Sequence, residues 1–394
     1  VSLDWIESAG CRVVNLLCKG SYKHVTEQLR KTPEQHVDDI RTVVLEAAKR
    51  KIDVNIYLED WSNGIKHSPD YVFLVIDALK GLPICRFMLP DTLGVLNPGN
   101  TYEYCKMMVD RYPDLRFDFH AHNDYDLAVA NVYSAIRAGI KGIHTTVNGL
   151  GERAGNAPLS SVLAVIKDQL GEETNLREEK INKASRLVET YSGVHIPPNK
   201  PIIGEHVFTQ CAGVHADGDS KNNLYCNDLL PERFGRVREY ALGKTSGKAN
   251  IRKNLEALGI DMDEGSMRKV TERIIELGDK KEMVTPEDLP YIISDVLHHD
   301  NALEDQKIRI LNYSLSLAQG LKPVATLKIE INGEAYEESA SGDGQYDAFV
   351  RALRRIYSRL NRPFPMLTNY SVSIPPGGRT DAFVQTVISW NYAG

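Results

Sequence analysis

Two histidines separated by a single residue, His120 and His122, lie in the segment FDFHAHND at residues 117–124. Side chains alternate across a β-strand, so a strand here places Asp118, His120 and His122 on one face and the two phenylalanines on the other. Two imidazoles at this spacing can chelate one divalent cation and leave positions open for a carboxylate and a substrate. Two hydrogen-bonded histidines without a metal are the structural alternative, and the pattern alone leaves both open.

A glycine-rich segment, NGLGERAGN, follows at residues 148–156. Glycines let the backbone approach a ligand closely, and a helix predicted to begin near residue 156 would offer an N-terminus that favours anions. A tight turn between a strand and a helix would use the same glycines. The combination of Glu152, Arg153 and Asn156 beside a histidine pair is more specific than the glycines and indicates a functional loop.

The elements that position these residues repeat along the first half of the chain. Five β-rich runs begin roughly thirty residues apart, which is typical of βα units. Thr32-Pro33 provides an N-cap and a proline for the first helix between them. Repeated units of this length predict parallel strands joined by right-handed crossovers. The predicted strands are residues 12–17, 53–58, 84–89, 115–119 and 142–147, and the predicted helices are residues 32–51, 98–112 and 126–138.

Two α/β architectures fit this repeat, an open doubly wound sheet and a (β/α)8 TIM barrel. Polar residues such as Glu59-Asp60 and Asp91-Thr92 follow nearly every predicted strand. A barrel collects all the carboxyl ends on one rim, whereas an open sheet concentrates chemistry at one switch point. We therefore predict a barrel. Because a barrel needs eight strands, we expect three further βα units before residue 1, or a second chain that completes the sheet.

The composition excludes some classes of function. The chain has 394 residues, more than one hydrophobic core usually holds, and a net charge of −6, which gives no reason to bind nucleic acid or an anionic membrane. No apolar run is long enough to span a bilayer, and the first residues lack a secretory signal. The six cysteines are spread without a CxxC motif, so we predict reduced thiols and a cytoplasmic location.

The chain resembles the acetyl-CoA-dependent 2-oxo-acid synthases, a family of metal-dependent TIM-barrel enzymes that includes 2-isopropylmalate, homocitrate and citramalate synthases. The resemblance rests on FHAHND and NGLGERAGN, and extends to later segments over essentially the whole length. Three segments, YLEDWSNG, LPDTLGVL and LPERFGR, are most similar to the citramalate-forming members. The later segments are AGVHAD at residues 212–217, LGKTSGK at 242–248 and GDG with YDA at 342–348.

The resemblance implies a Claisen-type condensation of acetyl-CoA with pyruvate that gives (R)-citramalate and CoA, the first step of a pyruvate route to isoleucine. A divalent metal (Mn²⁺, Mg²⁺ or Zn²⁺) held by His120, His122 and Asn156 would polarise the 2-oxo acid. The family's remaining ligand is an aspartate in an Arg-Asp-Gly-Glu motif, which this sequence lacks. The resemblance therefore predicts that residues 1–394 alone are inactive.

The resemblance also assigns catalytic roles outside the metal site. Glu59 matches a catalytic carboxylate, and Thr92 matches a residue that binds the carboxylate of the 2-oxo acid. His215 and Tyr225 match catalytic residues that the partner subunit contributes, which implies a homodimer. Each has a structural alternative: Glu59 could pair with a lysine or arginine, Thr92 could cap a helix, and His215 could lie in a surface loop.

Substrate choice depends on Leu17 and Tyr57, which match the residues that line the side-chain pocket for the 2-oxo acid. Both are bulky, which leaves room for a methyl group and favours pyruvate by ~1–3 kcal/mol over a branched substrate. Plain barrel packing is the alternative for both residues. The alternative functions are a 2-isopropylmalate synthase that uses 2-oxoisovalerate, a metal-dependent lyase or isomerase on the same barrel, and a regulatory fragment without turnover.

The second half of the chain is predicted to be mostly helical from about residue 159 to about residue 301, with amphipathic helices over residues 176–191 and 267–277, and then α+β. Strands are predicted at residues 307–317 and 324–331, a type I′ turn at Asn332-Gly333, a helix at 346–360, and a strand pair at 370–374 and 382–390. We predict a catalytic domain over 1–238, a linker over 239–304 and an effector domain over 305–394. The resemblance implies that isoleucine, or leucine in the isopropylmalate enzymes, binds at Tyr346, Asp347, Leu367, Tyr370, Ile374 and Val384.

Overall fold

A computed structural model describes residues 2–210, 218, 224–243, 247–279, 284, 288–297, 308–373 and 385–391. Three predicted site residues, His215, Ile374 and Val384, lie outside the described residues, as do all of residues 212–217. The backbone forms two compact units, Val1–Pro286 and Glu287–Gly394. The predicted domain boundaries at residues 238/239 and 304/305 stay predictions.

The first unit contains a five-stranded parallel sheet with the strand order 1-2-3-4-5. In a sequential order every crossover moves one place in the same direction, so right-handed crossovers put all the helices on one face of the sheet. A doubly wound sheet reverses direction and covers both faces. The winding is therefore that of a TIM barrel, and the predicted α/β class is confirmed. The strands are β1 (Val13–Lys19), β2 (Asp53–Glu59), β3 (Ile84–Asp91), β4 (Phe117–Ala121) and β5 (Gly142–His144).

Helices connect these strands as the repeat predicts. The helix after β1 starts with a complete capping box, in which Thr32 accepts from the backbone N–H of Gln35 and the Gln35 side chain accepts from the N–H of Thr32. Pro33 occupies the first helical position, where its missing N–H costs no hydrogen bond. The helices are α1 (Ser2–Ser8), α2 (Pro33–Lys49), α3 (Trp61–His67), α4 (Pro69–Leu79), α5 (Pro98–Arg111), α6 (Ala128–Arg137), α7 (Leu159–Leu170) and α8 (Ile181–Ser192).

The two faces of the sheet differ sharply in polarity. Alternate residues of each strand pack under the helices and form the apolar core, which includes Val54, Ile56 and Leu58 of β2 together with Phe117 and Phe119 of β4. The other face, here called the polar face, carries the intervening residues. Burial of the apolar side stabilises the sheet by about 25 cal/mol per Å² of apolar surface. The core is thus formed by that side, and the residues of the polar face can serve a binding or catalytic role. The polar face comprises Asn15, Leu17, Lys19, Asn55, Tyr57, Glu59, Arg86, Met88, Asp118, His120 and His144.

Two sequence-based boundaries need correction. The fifth strand ends at His144, not at residue 147, because residues 147–149 form a 3-10 turn in which Asn148 has a φ of 62°. The helix predicted from residue 176 begins at Ile181, after a separate 3-10 turn at Glu178–Lys180. The remaining elements of this unit are β6 (Thr209–Gln210), β7 (Glu239–Tyr240), α9 (Lys248–Ala257) and α10 (Glu264–Asp279).

The second unit is an α+β module. Its three-stranded antiparallel sheet has the order β10-β9-β8, and the two-residue turn between β9 and β10 has positive φ at Asn332 and Gly333, which confirms the type I′ hairpin. A separate antiparallel pair, β11 with β12, is also confirmed. The elements are α11 (Leu289–Leu297), β8 (Ile308–Ser316), β9 (Val324–Ile331), β10 (Glu334–Ser341), α12 (Gln345–Arg359), β11 (Met366–Ser373) and β12 (Gln385–Asn391).

Across the described residues, every helix is too short or too polar to cross a lipid bilayer.

Candidate active site

The histidine pair lies where β4 ends, on the polar face. The ring centroids of His120 and His122 are 5.1 Å apart, and those of His120 and His144 are 5.7 Å apart. Burial lowers the pKa of His120 to about 4, with smaller contributions from His122 and His144. Burial also lowers the pKa of His122. Both imidazoles are therefore neutral at pH 7 and keep a lone pair that a cation could use.

The glycine-rich segment brings Asn156 to the same place. Asn156 forms an antiparallel bridge with His122, so residues 155–157 extend the edge of β4 beyond its end. Gly155 makes this course possible, because its φ is +85° and a Cβ there would lie 2.0 Å from the carbonyl oxygen of Gly149. The Asn156 amide nitrogen donates to the Leu150 carbonyl at 3.1 Å, which turns its Oδ1 away from that loop.

The three predicted metal ligands share one property. The Nδ1 atoms of His120 and His122 and the Oδ1 atom of Asn156 are buried and have no hydrogen-bond partner among the described residues. Buried polar atoms normally have a hydrogen-bond partner, so three buried atoms without one at the same strand end are suited to bind a metal ion. Within the described ranges no group of three or more His, Cys, Asp or Glu side chains could hold a metal. Two imidazoles and an amide are thus the donors that this part of the chain offers.

Glu59 forms an ion pair with Lys19 at the carboxyl ends of β2 and β1. The two residues face one another in the strand register, and their side chains are 26% and 11% exposed, respectively. Sequence reasoning named an ion pair with lysine or arginine as the structural alternative for Glu59, and the structure has that pair. A carboxylate held at the rim by an ammonium group remains compatible with a catalytic role, which stays a prediction.

A closed circuit of hydrogen bonds holds Lys19 in place. The Lys19 backbone N–H donates to His36 Nε2 at 3.3 Å, His36 Nδ1 lies 2.8 Å from the Tyr71 hydroxyl, and that hydroxyl donates to the Lys19 carbonyl at 3.1 Å. The circuit closes only if His36 carries its proton on Nδ1. It ties the end of β1 to α2 and α4, and sequence reasoning missed it.

Thr92 connects two strand ends on the rim. Its hydroxyl oxygen accepts from the Asp60 backbone N–H at 2.8 Å, and its carbonyl accepts from Arg153 at 2.8 Å. Arg153 also makes a bidentate pair with Asp124, at 2.7 and 2.9 Å. The N-cap of α5 is Asn97, so Thr92 does not cap the helix that follows it, and among the described residues its hydroxyl accepts this bond without donating one.

Leu17 and Tyr57 lie opposite one another on β1 and β2, as a pair that lines one pocket requires. Leu17 is 64% exposed, so it is not packed in a core. The Tyr57 hydroxyl lies 3.0 Å from His144 Nδ1. Burial raises the pKa of Tyr57, and the charge of Asp118 adds to this effect, so the phenol is protonated at neutral pH.

Asp118 is the most buried charge on the polar face, with 1% of its side chain exposed. Burial by itself would raise its pKa, but the contacts with His144 and Arg86 together outweigh burial, and the pKa is lowered. Sequence reasoning placed Asp118 on the same face as the two histidines but gave it no partner. Its contact with His144 depends on the register between β4 and β5, which the sequence pattern within one strand does not specify.

The other predicted residues that the structure describes are Tyr225 in the first unit and Tyr346, Asp347, Leu367 and Tyr370 in the second. Tyr225 is exposed and lines a groove with His206 and Phe208. In the second unit, the rings of Tyr346 and Tyr370 are 4.9 Å apart, and Tyr346 lines a groove of about 580 Å³. Asp347 accepts from the Asp343 backbone N–H at 2.9 Å and pairs with Arg351, and Leu367 on β11 is 40% exposed. The roles of these residues stay predictions.

Three family models match successive parts of the chain. A model described as HMGL-like matches residues 3–188, and one described as homocitrate synthase post-HMGL domain-like matches residues 202–282. The LeuA allosteric (dimerisation) domain matches residues 283–394.

Two solved structures are similar in part to this chain. The hydroxymethylglutaryl-CoA lyase of Bacillus subtilis is 22% identical, with a TM-score of 0.46 over 51% of this chain and 70% of that chain. The lyase of Pseudomonas aeruginosa is 21% identical, with a TM-score of 0.45 over 49% and 67%.

Curated relatives match nearly the whole chain. A Methanopyrus kandleri protein named as an (R)-citramalate synthase is 33% identical over 96% of this chain and 73% of the relative. A 2-isopropylmalate synthase of the same organism is 33% identical over 98% and 76%. The (R)-citramalate synthase CimA of Methanocaldococcus jannaschii is 31% identical over 95% and 75%. With these relatives and the three models in order, the chain belongs to the family of citramalate and 2-isopropylmalate synthases.

Proposed function

We propose that this protein condenses acetyl-CoA with pyruvate: the enolate of acetyl-CoA attacks the carbonyl carbon of pyruvate, and water then hydrolyses the resulting thioester to give (R)-citramalate and CoA. Family membership supports an acetyl-CoA-dependent condensation with a 2-oxo acid. The observation that carries the proposal is the set of orphaned acceptors on His120, His122 and Asn156, on the same rim as Glu59 and Thr92. A divalent metal held by these three acceptors would act as a Lewis acid on the 2-oxo acid carbonyl.

The chain's own residues do the rest of the chemistry. The Glu59 carboxylate accepts a methyl proton of acetyl-CoA, and the Lys19 ammonium holds that carboxylate in one orientation. The Thr92 hydroxyl donates its free proton to the carboxylate of the 2-oxo acid. Arg153 donates hydrogen bonds to the Thr92 carbonyl and to the Asp124 carboxylate, and these contacts hold the loop after β3 in place. Each of these groups is fixed by a second contact, which keeps the reactants in one geometry.

Pyruvate is the proposed substrate because of the Leu17–Tyr57 pair. The two residues lie opposite one another on neighbouring strands, and both are bulky, so we propose that they limit the side chain of the 2-oxo acid to a methyl group. One or two extra methylenes in a hydrophobic pocket cost ~1–3 kcal/mol, or about 10–200-fold in kcat/KM. We therefore expect at least a tenfold preference for pyruvate over 2-oxoisovalerate.

The test is release of CoA, followed with a thiol reagent, by the protein produced from its own gene. Pyruvate and 2-oxoisovalerate are compared in the presence of Mn²⁺, Mg²⁺ or Zn²⁺. A preference for pyruvate supports the proposal. A tenfold preference for 2-oxoisovalerate supports 2-isopropylmalate synthase, which the relatives favour equally. CoA release with neither acid contradicts both.

Metal binding has its own measurement. His120→Ala and Asn156→Ala each remove one donor, so the affinity for Mn²⁺ measured by calorimetry should fall by at least tenfold. The matched control is His67→Gln, an exposed histidine on α3. Unchanged Mn²⁺ affinity in both site variants contradicts the proposed ligands.

The second unit is proposed to bind isoleucine and to form a homodimer. The match to an allosteric dimerisation domain, the aromatic groove lined by Tyr346 and Trp390, and the ring contact of Tyr346 with Tyr370 support an effector site with an apolar pocket. Calorimetry with isoleucine and leucine distinguishes the two branches of the family, and Tyr346→Ala should abolish the heat of binding. Binding of neither amino acid contradicts the proposal.

A further inference from the structure

Tyr57 is part of a chain of contacts that runs across three strands of the polar face. Its hydroxyl oxygen lies 3.0 Å from His144 Nδ1, and the two ring centroids are 5.4 Å apart. The other nitrogen of that imidazole, Nε2, lies 3.7 Å from an Asp118 carboxylate oxygen. The contacts thus run from a carboxylate through an imidazole to a phenol, from β4 through β5 to β2.

The Asp118 carboxylate, at one end of this series of contacts, is held in place by its neighbours. Arg86 donates to the carboxylate at 2.8 Å and Arg116 lies 3.6 Å from it, so the buried carboxylate keeps its charge. Gly142 on β5 leaves the space that the carboxylate fills, since a Cβ there would lie 2.2 Å from Asp118 Oδ1. Any other residue at position 142 would displace Asp118.

The charge at Asp118 sets the direction of the next contact. A carboxylate beside Nε2 favours the tautomer that carries its proton on Nε2 and leaves a lone pair on Nδ1. The Tyr57 hydroxyl then donates its proton to His144. The phenol proton is then engaged in the hydrogen bond to His144 and is not available to a substrate, and the ring is held at a fixed angle opposite Leu17.

We infer that His144 is a positioning residue for substrate selectivity, because its contact with Asp118 and Tyr57 fixes the aromatic wall that limits the size of the 2-oxo acid. This inference rests on the proposed function for the role of Tyr57 as a pocket wall. Without the tether the Tyr57 ring can rotate about its side-chain bonds, and the space beside Leu17 becomes large enough for a branched side chain. His144 acts through Tyr57 and touches no reacting atom.

The first test does not depend on turnover. The full chain is labelled with ¹⁵N-histidine, and the His144 signals are assigned by their loss in His144→Gln. We expect the proton of the His144 tautomer on Nε2, and a downfield shift of Nδ1 in Tyr57→Phe, where the hydroxyl donor is gone. A proton on Nδ1, or an Nδ1 signal that Tyr57→Phe leaves unchanged, overturns the inference even if the enzyme is active.

The second test measures the ratio of kcat/KM for pyruvate to that for 2-oxoisovalerate. An asparagine oxygen can take the place of Nδ1, and a glutamine nitrogen can take the place of Nε2. His144→Asn should therefore keep the ratio, whereas His144→Gln should lower it about tenfold. Combining His144→Gln with Tyr57→Phe should lower it no further than either single change, since both break one contact.

Thermal unfolding and a control distinguish the outcomes of the second test. His67→Gln, an exposed change, should leave the ratio unaltered. If His144→Gln lowers the melting temperature but leaves the ratio unaltered, the residue is merely structural and the inference fails. If no variant or parent turns over either acid, the proposed function fails, and the histidine spectrum still decides whether the tether exists.

Discussion

Removing the Tyr71 hydroxyl should destabilise the first unit far more than a single lost hydrogen bond would. In Tyr71→Phe, the Nδ1–H of His36 loses its acceptor and the Lys19 carbonyl loses a donor. His36 and Tyr71 are each only 4% exposed, so water cannot replace the hydroxyl. Each of the two buried groups left without a partner costs about 1–3 kcal/mol, so we expect a loss of about 2–6 kcal/mol in the free energy of unfolding.

The assay is urea unfolding followed by far-UV circular dichroism and fluorescence, with the transition of the first unit compared between variants. Tyr102→Phe is the matched control, since Tyr102 is an exposed tyrosine and its loss should change stability by less than about 0.5 kcal/mol. The double variant His36→Leu/Tyr71→Phe should cost less than the sum of the single changes, because both interrupt one circuit. A cost below 0.5 kcal/mol for Tyr71→Phe, roughly that of a neutral surface change, would refute the circuit.

Three further predictions follow from the same rim. Glu59→Gln should lower kcat by about 10²–10⁴-fold and Lys19→Met should lower it by less, with KM nearly constant in both variants. A rise in KM without a fall in kcat contradicts the role of Glu59 as the general base. Because burial lowers the pKa of His36, the unfolded chain takes up a proton at its ordinary pKa of about 6.5 while the folded chain does not. The free energy of unfolding should therefore fall as the pH drops below about 6.5, and this fall should be less steep in His36→Gln. Urea titrations at several pH values measure it, and equal slopes for the parent and the variant contradict the prediction. Gly155→Ala should cost more than about 1 kcal/mol at its positive φ, whereas Gly81→Ala, with open space around it, should not.

The sequence was sufficient for the βα repeat because each strand combines alternation or a short apolar run with a nearby helix signal. Thr32-Pro33 predicted the start of α2, and Asn332-Gly333 predicted the β9–β10 turn, since both depend on local backbone chemistry. The end of β5 was misplaced at residue 147. The apolar run continues past His144, but the chain has to turn there to bring Asn156 back to β4.

The candidate site divides in the same way. His120 and His122 could be paired from spacing because they belong to one strand. The pairing of Lys19 with Glu59, and of His144 with Tyr57, depends on the register between different strands, which no local pattern encodes. The circuit through His36 and Tyr71 depends further on how α2 and α4 pack against the end of β1.

The bridge between His122 and Asn156 limits how the glycine-rich loop can change in length. Asn156 reaches the histidines through ladder pairing of its backbone, and its neighbours Gly155 and Ala157 bond to Asn123 and Ala121. Inserting or deleting one residue between 150 and 155 would either flip the amide to the opposite side of the ribbon or break the ladder. We expect engineered loops to retain this third donor only when their length changes are absorbed before Gly149.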